Sequence, residues 1–99
     1  MLKIFKPCDF HVHLREGQLL KNVLKENNKN FQKILVMPNL AKPITNKKIL
    51  SKYRSSVLKN NKNTEILFTI YLNKDCSIID LKNMVKEKLF FAAKLYPLH

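Results

Sequence analysis

The chain has 99 residues, 45% of them hydrophobic, so one small domain or a piece of a larger one is expected, and disorder is not. Nineteen Lys and Arg against seven Asp and Glu give a formal charge of +12. No apolar run approaches the roughly 20 residues that cross a bilayer, and Met1–Lys6 leads into no apolar h-region, so neither a membrane span nor a secretory leader is expected and the cytoplasm is.

The first predicted element is a strand. Phe10, Val12 and Leu14 alternate with Asp9, His11 and His13. Side chains alternate across a strand, so His11 and His13 point the same way, roughly 6–7 Å apart along the backbone, and continued parity puts Arg15 with them. Two neutral imidazoles on one face can grip a divalent metal, and Arg15 could hold an anion beside it; the plainer alternative is a solvent-facing polar stripe. Gly17 allows a turn, and Leu19, Leu20, Val23 and Leu24 then recur with helical spacing through about Lys25. Asn27–Asn30 reads as a polar loop. Ile34–Met37 is a short apolar run expected of a strand buried on both faces, and Pro38 ends it. A second helix is predicted from Thr45 as N-cap, with Ile49, Tyr53 and Val57 on one face beside Leu50 and Leu58. After a polar loop at Asn60–Asn63, Ile66–Leu72 is rich in β-branched and aromatic residues and predicts a third strand. Ser77 with Asp80 three residues on resembles a helix start, and Leu81, Met84 and Val85 supply that helix's apolar side. Leu89–Tyr96 is the fourth predicted strand, stopped by Pro97.

The order β-α-β-α-β-α-β argues for an α/β fold, a parallel sheet with helices packed outside it. In such sheets and barrels ligands gather at the carboxyl ends of strands. Three polar signals fall there: His11, His13 and Arg15 on strand one, Asn39 just after strand two, and Lys94 near the end of strand four. Lys94 is the odd residue, an ammonium between apolar neighbours. Burial there favours a neutral, nucleophilic amine, able to attack a carbonyl or take up carbon dioxide as a carbamate; the alternative is a stem along the sheet with its head reaching water. Asn39 could equally be a turn residue, Asp9 could orient a ligand or make a local hydrogen bond, and Tyr96 could lend a hydroxyl or pack. Cys8 and Cys76 lack metal-motif spacing and read as reduced thiols.

Taken together, Cys8-Asp9-Phe10-His11-Val12-His13-Leu14-Arg15-Glu16-Gly17, Val36-Met37-Pro38-Asn39-Leu40-Ala41-Lys42-Pro43-Ile44-Thr45 and Ala92-Ala93-Lys94-Leu95-Tyr96-Pro97 resemble the bacterial dihydroorotases of the amidohydrolase superfamily. The resemblance runs in order over essentially the whole chain. It implies a (β/α)₈ barrel, a TIM-like fold, with two zinc ions in pyrimidine biosynthesis. By carry-over, His11 and His13 would bind one zinc and Lys94, as an N6-carboxylysine formed with carbon dioxide, would bridge both. Arg15 and Asn39 would hold the carboxylate of a small-molecule substrate, as N-carbamoyl-L-aspartate and (S)-dihydroorotate interconvert. The family's remaining ligands, two histidines and the aspartate that moves the proton, come from later strands. No catalytic residue is therefore nominated among these 99, and His99 matches no ligand.

A barrel of this kind needs about 250 residues, so residues 1–99 are expected to form a single incomplete domain, about half of the barrel and inactive alone. Its unpaired edges at strands one and four are expected to leave it marginal or self-associating. Another cyclic-amide hydrolase of the superfamily is the runner-up. A small basic nucleic-acid-binding protein is the competitor from another class. The lysines look spread along the chain, arginine appears only at Arg15 and Arg54, and the Lys, Asn and Ile enrichment is what AT-rich coding would give. A solvated basic surface, with no nucleic-acid partner, is therefore the expectation.

Overall fold

A computed structural model describes residues 6–40 and 42–95. The expectations attached to Met1–Phe5, Ala41, Tyr96, Pro97 and His99 lie outside these residues. Strands β1 (Cys8–Val12), β2 (Lys33–Val36), β3 (Glu65–Leu72) and β4 (Ala92–Leu95) alternate with helices α1 (Gly17–Asn30), α2 (Lys47–Asn60) and α3 (Ile78–Lys86). The strands lie in chain order, β1-β2-β3-β4, and every neighbouring pair is parallel. The predicted order of elements is the observed one, and the sheet is the start of a TIM-like barrel wall.

The two faces of the sheet follow from register. Val12 pairs with Val36, Val36 with Phe68, and Ile70 with Ala93. Paired residues point to one side, and Val12, Ile34, Val36, Phe68 and Ile70 join Leu20, Leu24, Leu50, Tyr53, Val57 and Met84 in the core between sheet and helices. On the opposite, inner side stand Leu35, Leu67, Thr69, Tyr71 and, paired with Tyr71, Lys94.

Four local expectations are corrected. Asn27–Asn30 is the last turn of α1 rather than a loop. Asn28 is buried: its Nδ2 donates to the Leu24 carbonyl, and its Oδ1 accepts the backbone N–H groups of Lys62 and Asn63. The α2 cap is Asn46, not Thr45; its Oδ1 accepts the Ile49 N–H at 2.9 Å. Phe10 is exposed, because β1 carries one extra residue between Asp9 and Val12, a bulge that takes Phe10 out of the core alternation. Val85 is exposed too, leaving Leu81 and Met84 as the packed side of α3. Ser77 caps α3 as expected, accepting from the Asp80 N–H, while the Asp80 carboxylate accepts the Lys47 N–H and ties the start of α3 to that of α2.

Candidate metal and anion site

The carboxyl ends of β1, β2 and β4 bring the expected residues together. His11 lies within the β1 bulge and His13 just past it, and the two imidazoles face each other, with Nε2 of His11 and Nε2 of His13 3.1 Å apart and the rings edge to face. This is a hydrogen bond between the two rings, and it is close to the separation of about 3.3 Å of two nitrogens bound to one tetrahedral zinc at 2.0–2.1 Å, so a small adjustment would let both rings take one cation. Nδ1 of His13 is buried without a hydrogen-bond partner. Burial, then the positive charges of Arg15, His11 and Lys94, hold the His13 imidazole below its ordinary pKa, favouring the neutral, ligating form. The donor set therefore fits a divalent metal. Among the described residues no third His, Cys, Asp or Glu joins the pair.

Arg15 arrives by a different route from strand parity. β1 ends at Val12, and Arg15 has a left-handed backbone, φ +65°, followed by Gly17 at φ +62°. This turn starts α1. The buried Tyr53 hydroxyl holds it by donating to the Arg15 carbonyl at 2.9 Å. The positive charge of Arg15 still acts on His13 and helps to lower its pKa.

Asn39 sits on the loop after β2. Pro38 is fully buried, its carbonyl accepts from the Leu40 and Ile44 N–H groups, and the Ile44 carbonyl accepts the Tyr71 N–H at 2.7 Å. That folded loop sets Asn39 over the sheet, where Oδ1 accepts a 2.7 Å hydrogen bond from Nζ of Lys94. Lys94 is half-buried on the inner face, and its charge reaches His13. Two pairs are thus in contact, His11 with His13 and Asn39 with Lys94, and the positive charges of Arg15 and Lys94 both act on His13.

Asp9 does not join them: its Oδ1 accepts the His11 backbone N–H at 3.0 Å, the local bond that was its alternative. Cys8 is exposed and Cys76 partly buried, and both are free thiols. Sequence reasoning missed Thr69, buried on the inner face with an unpartnered hydroxyl, and the Tyr53 tether. The period-2 pattern of the third strand could have placed Thr69 opposite the core residues; nothing local marks Tyr53. The lysines are less evenly spread than their sequence positions suggest: Lys6, Lys21, Lys25, Lys29 and Lys62 line one cleft of about 600 Å³ with Asn28 and Asn60. No helix among the described residues is long and apolar enough to cross a membrane.

No protein-family model matches the chain. Individual proteins do. The chain is 38% identical over 96 residues to the dihydroorotase of Helicobacter acinonychis, matching 97% of this chain and 28% of that protein. It is 39% identical over 99 residues to the dihydroorotase of Buchnera aphidicola, with the same shares. Among solved structures, the dihydroorotase of Saccharomyces cerevisiae in complex with 5-fluoroorotic acid superposes with a TM-score of 0.85 at 30% identity, covering 94% of this chain and 26% of that one. The Campylobacter jejuni dihydroorotase gives 0.79 at 32% identity, covering 94% and 28%. Over nearly its whole length the chain is similar to an N-terminal portion of dihydroorotases, in sequence and in fold, and it spans about 28% of the length of the curated relatives it matches.

Proposed function

We propose that the chain supplies the first part of the active site of a dihydroorotase, the hydrolase that opens and closes a cyclic amide in de novo pyrimidine synthesis. N-Carbamoyl-L-aspartate closes to (S)-dihydroorotate with loss of water, and the reverse adds water across the same amide bond. What supports the reading is the His11–His13 pair and the Asn39–Lys94 contact at the carboxyl ends of the strands, with the charges of Arg15 and Lys94 acting on His13, in a chain 38–39% identical to dihydroorotases.

In this reading His11, His13 and Lys94, the last as a carbamate formed with carbon dioxide, would hold zinc. Bound zinc supplies a Lewis acid for the amide carbonyl and lowers the pKa of water to near neutrality. The chain's own residues bind and orient. Arg15 offers a guanidinium that donates two parallel hydrogen bonds to a carboxylate, and Asn39 offers an amide N–H that donates to the same group. The Asn39 loop also fixes where Nζ of Lys94 stands before it is modified. In this reading the residue that moves the proton comes from the part of the relatives that these 99 residues do not span. The free thiols of Cys8 and Cys76 suit the cytoplasm.

The test is to supply the chain with the part of a relative that it does not span and follow ring opening of dihydroorotate. Turnover that disappears in the His13→Ala and Lys94→Ala variants supports the assignment. Turnover that survives both overturns it.

A further inference from the structure

Towards the amino ends of the strands, away from the imidazole pair, lies the cleft of about 600 Å³ whose lining, among the described residues, is Lys and Asn alone. Lys21, Lys25 and Lys29 of α1 line it at intervals of four residues, a stripe about 12 Å long at 1.5 Å per residue. Lys6, ahead of β1, and Lys62, between α2 and β3, line it as well. Asn28 gathers them. It is buried, its backbone carbonyl accepts from Nζ of Lys6 at 3.0 Å, and its Oδ1 accepts the Lys62 N–H at 2.9 Å. Like charges four apart on a helix destabilise it, and five around one cleft repel. Little offsets this. Lys29 meets Glu26 at 4.0 Å with both side chains well exposed, which is a weak pair, and Lys21, Lys25 and Lys62 form no ion pair among the described residues. AT-rich coding accounts for how many lysines the chain has, but not for five of them meeting on one cleft with no carboxylate in its lining.

We propose that this cleft binds a compact polyphosphate anion, a short chain of phosphates of the kind found in triphosphate. Its volume is that of a small-molecule site. Ammonium groups act on phosphate as point charges, and a stripe of three with two more beside it matches several linked phosphates better than one. The described lining contains no aromatic ring and no arginine, so nothing there stacks on a base or reads its edge. The ligand is therefore recognised by its phosphates, whether free or as the tail of a nucleotide. An anion seated there also cancels the repulsion among the lysines, so its binding stabilises the fold. All the lining residues belong to this chain, and the proposal does not rest on the dihydroorotase reading.

The experiment titrates the full chain with tripolyphosphate in a calorimeter at physiological salt, about 0.15 M, and follows thermal melting alongside. We expect one ion bound per chain and a rise in melting temperature. ATP and UTP should bind like tripolyphosphate, and orthophosphate about tenfold or more weakly. A variant with Lys21→Gln, Lys25→Gln and Lys62→Gln, all at exposed positions, should weaken tripolyphosphate binding by about tenfold or more. A control with Lys74→Gln, Lys82→Gln and Lys86→Gln, also exposed and outside the cleft, loses the same charge and should stay within about twofold. Matching circular dichroism of the three proteins shows that folding is retained. Absence of binding, or equal weakening by both variants, overturns the proposal, since the second result reports net charge alone. An oligouridylate RNA that binds more tightly than tripolyphosphate also overturns it, by making the surface one for nucleic acid.

Discussion

Asn39 and Lys94 lie 55 residues apart in the chain and meet at 2.7 Å, the carboxamide oxygen accepting from the ammonium. One residue follows β2, the other sits in β4, and β3 separates the two strands. The contact therefore reports the curvature of the sheet and the fold of the Pro38–Ile44 loop at once. Hydrogen bonds to charged groups are worth roughly 1.5–3 kcal/mol, and partial exposure brings this one to about 1. Asn39→Ala should lower the unfolding free energy by that amount, with faster amide exchange localised to β4. Exchange that rises evenly across the sheet would mean that the loop is not held there by this bond.

Asn28 is a stronger structural test. Its side chain closes the end of α1 and receives two backbone N–H groups from the turn after α2. Removing the acceptor leaves both donors in a buried place. Asn28→Ala should cost about 2 kcal/mol in a chemical denaturation, and Asn28→Asp, which keeps the acceptor and loses the donor to Leu24, should cost less. Equal losses would mean that the carboxamide oxygen is not the important atom.

Tyr53 gives a pH dependence with a definite sign. Burial, and next the negative charge of Glu16, push its phenol well above the ordinary value near 10, against a smaller opposite pull from Arg15. In the unfolded chain this phenol loses its proton near pH 10, whereas the folded form keeps it. The stabilisation is therefore whole below pH 10 and falls as pH rises above it towards the folded pKa. Thermal melts from pH 8 to 11 should show a drop above pH 10 that Tyr53→Phe reduces. The same variant should loosen the Arg15 turn, seen as greater mobility of residues 14–17. An identical drop in Tyr53→Phe would assign the effect to other groups.

Much of this was legible because periodicity and strand ends are local. The alternation around His11 and His13, the apolar run Ile34–Met37 and the aromatic run Ile66–Leu72 each specify a strand, and the rule that sites lie at carboxyl strand ends picked out Asn39 and Lys94. The misreadings occur where distant residues decide. Asn27 and Asn28 are poor helix formers, yet α1 extends through them because the turn after α2 supplies partners for Asn28. Thr45 and Asn46 are both competent caps, and only the geometry of the incoming loop chooses between them. The β1 bulge depends on pairing with β2, so neither the exposure of Phe10 nor the turn that carries Arg15 could be read from alternation.

The convergence of His11 and His13 on a single cation is the claim on which the rest stands, and zinc titration of the full chain watched through the histidine ring nitrogens measures it. The account predicts that Nε2 of both rings shifts together, saturating at one ion per chain and reverting on chelation, and that His13→Ala abolishes the response at His11. Rings that respond separately, or a His11 response that persists without His13, would contradict it.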